Sequence, residues 1–181
     1  MEQIGFLGAY DKKDLLINVA TVLTSAGKSV LIVDATSVQR MRYVVPNIST
    51  NQSFSYVSEY AKIDVALGFM TLNNVAQYLR RNLDYDYILI DSDNPQTMNS
   101  FGIQGMKKIF FVTSYEQYDM LKGAELLRFV QMPIEVVKVI STTNMNDAED
   151  KLLNSKVTNS NIKWSNSRIE FSDLDVDRRA I

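Results

Sequence analysis

Five short runs of β-branched and aromatic residues, at 4–7, 30–33, 87–90, 109–112 and 134–140, recur along this chain of 181 residues with almost no polar alternation. A strand covered on one face alternates apolar with polar side chains, so runs without alternation describe strands buried on both faces. The segments between them carry helical spacing. Leu72, Val75, Ala76, Leu79 and Leu83 recur at the three-and-four interval of one helix face, and Tyr118, Leu121, Ala124 and Leu127 form a second stripe. After the first run, Leu15, Leu16, Val19, Ala20 and Leu23 define a helix that should stop at Gly27, which tolerates the left-handed conformation of a C-terminal cap. Alternating strand and helix predict a three-layer α/β fold, with a mainly parallel central sheet and helices on both faces. Phe6, Leu31, Val33, Ile88, Ile90, Phe110 and Val112 are its expected core.

Two regions are less regular. Residues 45–56 hold Pro46 with many Asn and Ser residues, which reads as a loop leading to a helix near 57–69. Residues 1–150 are expected to form the α/β body, and 151–181 a C-terminal segment of the same domain, with one short strand and then a tail.

Composition narrows the chemistry. There is no cysteine and no histidine, which excludes thiol nucleophiles, Cys/His zinc sites and Ser-His-Asp triads. Carboxylates, lysines, hydroxyls and the backbone remain. A net charge of -2 disfavours a surface that holds nucleic acid by counterion release. The basic pairs Lys12-Lys13, Arg80-Arg81, Lys107-Lys108 and Arg178-Arg179 read as solvated faces. The start Met1-Glu2-Gln3 lacks the basic and apolar regions of a secretory signal, and no apolar run approaches the roughly 20 residues of a membrane-spanning helix. The expectation is a cytoplasmic protein.

Parallel α/β sheets bind ligands at the carboxyl ends of their strands, where loops and helix N-termini converge. Three loops are placed there: Gly8-Ala9-Tyr10-Asp11-Lys12-Lys13-Asp14, Asp34-Ala35-Thr36 and Asp91-Ser92-Asp93-Asn94-Pro95. The helix motif Asn18-Val19-Ala20, the segment from Gly27-Lys28 to Asp34-Ala35, and Tyr85-Asp86-Tyr87-Ile88-Leu89-Ile90-Asp91-Ser92 follow in order. Together, over residues 4–140, these resemble the ParA/MinD branch of P-loop ATPases. The last segment is similar to that family's Walker B strand.

The resemblance also exposes departures. Counting back from Asn18 without gaps puts Lys12 on the family's phosphate-loop lysine, Lys13 on its magnesium-binding hydroxyl and Leu7 on its signature lysine. Of the loop glycines only Gly8 remains, with Ala9 and Asp11 at the other positions. Glycines let backbone N–H groups close around phosphate. A carboxylate such as Asp11 about 4 Å from a phosphate charge costs about 4 kcal/mol at an effective dielectric near 20, more than a charge-assisted hydrogen bond of about 1.5–3 kcal/mol returns. Lys13 offers no oxygen to magnesium, and Leu7 cannot neutralise charge on a transferred phosphoryl group. The resemblance further implies that Asp34 orients the attacking water, that Asp91 holds magnesium through water, and that an Asn such as Asn144 meets adenine.

Each residue also has a plainer reading. Asp11 caps the first helix, Asp14 complements its dipole, and Asp34 and Asp91 cap the turns that follow their strands. The resulting expectation is a non-catalytic ParA/MinD-like protein without catalytic or metal residues. Its vestigial nucleotide site comprises Gly8, Asp11, Lys12, Lys13, Asp34 and Asp91. Such a protein acts through a protein partner as a positioning component of a bacterial machine such as segregation, pilus or flagellar placement or secretion, and a homodimer is compatible with it. The alternative is an ATP-binding switch or weak ATPase that uses Lys12, Asp34 and Asp91 with magnesium.

Overall fold

The computed structural model describes residues 1–46, 54–142 and 147–171. The apolar runs become β1 (Glu2–Leu7), β2 (Val30–Asp34), β5 (Tyr87–Ser92), β6 (Lys108–Ser114) and β7 (Ile134–Ser141). With β3 (Tyr56–Tyr60), β4 (Ile63–Leu67) and β8 (Ile162–Phe171) they make one eight-stranded sheet of order β3-β4-β2-β5-β1-β6-β7-β8. Every neighbouring pair is parallel except β3 with β4.

Side chains of the central strands alternate between two apolar clusters, so both faces need cover. Val30, Ile32 and Leu89 meet Leu16 and Ala20 of α1 (Lys13–Ser25) on one face. Leu31, Val33, Ile88 and Ile90 share the other cluster with Val75 of α2 (Leu72–Leu79), Met98 of α3 (Pro95–Ser100), Leu127 of α4 (Gln117–Leu127) and Leu153 of α5 (Asp147–Lys156). Of the expected core, Phe6, Leu31, Val33, Ile88, Ile90 and Val112 are buried, whereas Phe110 is half-buried and stacks on Phe6 at 5.3 Å. Helix α1 ends as expected: Gly27 is left-handed, its N–H reaches the Thr24 carbonyl, and that of Lys28 reaches Leu23, which is a Schellman closure.

Three expectations need correction. The segment 57–69 is not a helix but the second strand of a hairpin and most of the first, joined at Ala61 and Lys62, both at positive φ. Tyr56, Ile63, Val65 and Leu67 alternate onto one core cluster, a period of two that packing against β2 enforces. The region from Lys151 is not a short strand and tail alone, because it completes α5 and then supplies the ten-residue edge strand β8. Tyr118 and Leu121 are not core: the buried side of α4 is Met120, Gly123, Ala124, Leu126 and Leu127. Asn144, the Asn-rich stretch 47–53 and the pair Arg178-Arg179 lie outside the described residues. Among the described residues no helix is long and apolar enough to cross a membrane.

Candidate functional site

The carboxyl ends of β1, β2 and β5 open into a cleft of about 490 Å³. Asp11, Lys12, Lys13, Asp34 and Asp91 all line it, so the parallel sheet brings together five of the six expected site residues. The sixth, Gly8, begins the same loop but does not line the cleft. Its φ of +140° and the 2.1 Å that a Cβ would leave to the Val112 carbonyl oxygen make glycine obligatory there. Leu7, one residue earlier, is fully buried in the core.

Lys12 occupies the N-cap position of α1 without capping it through its side chain. Its ammonium instead turns inward, with the side chain 1% exposed and Nζ 3.0 Å from Asp91 Oδ1. It also donates to the carbonyl oxygen of Gly8 and, at 3.2 Å, to that of Tyr10. Burial of Asp91 pushes its carboxyl up to about 7; Lys12 opposes this, and Asp34 and Asp93 add to it. Asp34 is likewise raised by burial. It accepts from the Thr36 hydroxyl at 2.6 Å and from the backbone N–H groups of Thr36 and Met41 at 3.1 Å each. Asp34 therefore fastens the turn after β2 and the following 3-10 turn at Arg40–Tyr43.

At the rim, Asp11 accepts from the Lys13 backbone N–H at 3.1 Å and approaches Arg40 at 3.7 Å. It meets the helix start as expected, although the N-cap position belongs to Lys12 rather than to Asp11. Lys13 pairs with Asp14 at 3.2 Å in the first turn. Asp93 accepts from the N–H and hydroxyl of Ser37, at 3.0 and 3.1 Å, which ties the β5 loop to the β2 loop. Asn94 caps α3 through the Thr97 N–H at 2.9 Å.

Sequence reasoning missed two parts of the site. Tyr10 reaches across the strand ends, donating to the Ser141 hydroxyl at 2.9 Å and meeting the Phe171 ring edge-on at 6.2 Å. Nothing local in the sequence signals a contact across 131 residues. The far wall comes from α4, where Tyr118, Lys122, Glu125, Leu126 and Phe129 line the cleft. Of these, only Tyr118 belongs to the helical stripe that the sequence offers, Tyr118, Leu121, Ala124 and Leu127.

No protein-family model and no curated protein matches the chain. Solved structures do. The MinC:MinD cell division complex of Aquifex aeolicus aligns with a TM-score of 0.61 at 14% identity, covering 99% of this chain and 86% of that one. A plasmid partition protein of Borrelia burgdorferi B31 bound to AMPPNP gives 0.59 at 16% identity, over 98% and 88%. A ParA family ATPase of Chlorobium tepidum TLS gives 0.54 at 14% identity, over 98% and 87%. At such identities the likeness is one of architecture, and the chain has the fold of the ParA/MinD P-loop ATPases.

Proposed function

We propose that the chain is a ParA/MinD-like protein that does not hydrolyse ATP and that serves in the cytoplasm as a partner-binding, positioning component of a bacterial cellular machine. The observation that carries this reading is the inward Lys12. Its charge is already matched by Asp91 in a buried pair, and two loop carbonyls take its hydrogen bonds. A nucleotide phosphate competing for that ammonium must leave Asp91 buried beside one less neutralising charge, which is costly.

Magnesium fits the site poorly. The hard cation takes oxygen ligands, and the position after Lys12 offers an ammonium bound to Asp14. Asp34 is engaged by three local donors. Leu7 brings no cation to the cleft, since it lies in the core. Support for a protein partner comes from the cell division protein of this fold that is found in complex with MinC. The convergence of Lys12, Asp34 and Asp91 on one cleft favours the second reading, an ATP-binding switch.

Calorimetric titration with ATP and magnesium separates the two. The wild type should release no heat of binding, and its ATP turnover should equal that of buffer. The variant Ala9→Gly/Asp11→Gly/Lys13→Thr restores the glycines and the hydroxyl, and should bind measurably. Equal affinity in both proteins would favour the switch. Magnesium-dependent hydrolysis abolished by Lys12→Ala and by Asp91→Ala would make the protein an enzyme.

A further inference from the structure

Parallel strands all enter a sheet at the same end, so the residues that lead into them share one face of the molecule. Here that face, at the amino ends of the strands, lies opposite the cleft. Backbone hydrogen bonds tie the strand entries side by side. The Tyr87 N–H donates to the Ser29 carbonyl at 3.1 Å, that of Glu2 to Asp86 at 2.9 Å, that of Glu135 to Lys107 at 3.1 Å and that of Ile134 to Asn161 at 2.9 Å. The basic pairs Arg80-Arg81 and Lys107-Lys108, which the sequence presents as separate solvated faces, both lie in this row, at the starts of β5 and β6.

Each parallel strand after β1 is entered past a basic residue. Lys28 precedes β2, Lys62 precedes β4, Arg80 precedes β5 and Arg128 precedes β7, whereas Lys108 opens β6 and Lys163 lies second in β8; all are exposed. Cations after helix C-termini complement the helix dipole, which accounts for Lys28, Arg80 and Arg128 after α1, α2 and α4. It does not account for Lys62, Lys107, Lys108 or Lys163, which follow no α-helix directly. Carboxylates at this end are fewer, and several are engaged within the chain. Asp86 accepts from the Ser29 N–H at 2.8 Å, which holds its carboxyl below the ordinary range. Asp64 accepts from the Tyr85 hydroxyl at 2.7 Å, and Glu135 stands 3.8 Å from Lys108. Glu2, Glu59 and Asp84 complete the set. Since the whole chain carries a net charge of -2, this excess of cations is offset by carboxylates elsewhere, and the molecule is electrically polarised along its strands.

We propose that the amino-end face of the sheet docks an acidic segment of a partner protein. The row from β4 to β8 crosses strands about 4.8 Å apart and is about 29 Å long, which about nine residues of extended chain span. Tyr78, in the last turn of α2, and Met132, between α4 and β7, are exposed at the same end. Together with the arginines they are of the types that protein interfaces favour. The interleaved carboxylates decide against a uniform polyanion. Asp86 and Glu135 repel the phosphates of a nucleic acid or a lipid surface wherever these lie along the row, whereas a protein segment can set a donor opposite each carboxylate. The proposal uses no residue of the phosphate loop, so it holds whether or not the cleft takes nucleotide.

Fluorescence anisotropy of labelled poly-L-glutamate, titrated with the whole chain at low ionic strength and without nucleotide, tests this. Wild type should bind saturably, and the affinity should fall about tenfold when salt is raised from 50 to 200 mM, because screening weakens exposed charge pairs. Lys28→Glu/Arg80→Glu and Lys107→Glu/Lys163→Glu should each weaken binding at least about tenfold. Lys151→Glu, which makes the same kind of reversal on α5, should leave it unchanged. Lys28→Gln/Arg80→Gln should weaken binding about threefold, and it decides the matter should a reversed form fail to fold by circular dichroism. Absence of saturable binding by wild type, undiminished binding by the variants at this face, or tighter binding of double-stranded DNA or phosphatidylglycerol vesicles through the same residues would each overturn the proposal.

Discussion

A carboxyl group at the end of a central strand loses its water, and at Asp91 this raises the pKa to about 7 although Lys12 lies 3.0 Å away. The unfolded chain releases that proton near the ordinary value of 3.8. Folded protein therefore holds the proton over a range in which unfolded protein has lost it. Its stabilising contribution is complete below about pH 4 and disappears as pH rises through 7. Asp34 is shifted in the same direction. Asp91→Asn removes the titration, so its stability relative to wild type should rise between pH 4 and pH 7 and level off above, by at most about 1.4 kcal/mol per pH unit. Urea denaturation of both proteins at pH 5, 6, 7 and 8 measures this, and a constant difference would show that Asp91 does not titrate in that range.

The β3–β4 hairpin shows how an element escapes sequence reasoning. Ala, Glu, Lys and Leu are good helix formers, and the turn Ala61-Lys62 lacks the Asn-Gly signature of a two-residue hairpin. Both turn residues nevertheless sit at positive φ, 49° and 69°, because the pairing of Tyr60 with Ile63 leaves room for nothing longer. Side chains with a Cβ are strained there. Lys62→Gly should therefore raise stability by about 0.5–1 kcal/mol, read as a higher urea midpoint with an unchanged slope. A lower midpoint would mean that the unfolded-state entropy of glycine outweighs the strain.

Across the molecule, the last strand is held differently from the rest. The central strands are gripped on both sides by parallel neighbours and on both faces by apolar residues, whereas β8 lies at the sheet edge and its register slips opposite Val136 and Lys138. Charge fastens it. Arg168 of β8 meets Asp150 at 3.1 Å and Asp147 at 3.4 Å, both on α5, while Lys138 of β7 also reaches Asp150 at 3.1 Å and lies 4.5 Å over the Trp164 ring. Burial lowers the Lys138 pKa, and Asp150 restrains the shift. Arg168→Ala should increase amide exchange in β8 and α5 while leaving β1, β2 and β5 protected, since edge elements open as local units. Equal acceleration in all strands would mean that β8 unfolds only with the whole sheet.

What the sequence alone determined is the sheet's interior and the residues at the carboxyl end of its strands. Unalternating runs admit only strands covered on both faces, Gly27 can close α1, and Gly8, Lys12, Asp34 and Asp91 stand at strand ends wherever those runs become parallel strands. These signals are local, and residues a few positions apart suffice to generate them. The tertiary structure decided the rest. It made a hairpin of the segment expected as a helix, in which Val57, Tyr60, Ile63 and Val65 suit a strand, because β2 offered an edge to pair with. It turned Tyr118 outward because the α4 surface that meets Phe111 is set by Gly123, the only residue small enough to lie there: a Cβ on Gly123 would fall 2.4 Å from the Phe111 ring. It also placed the ammonium of Lys12 against Asp91, a charge distant in sequence, and thereby tied the loop after β1 to the end of β5. Periodicity records which faces a segment buries, but which neighbour covers each face is settled only when the layers meet.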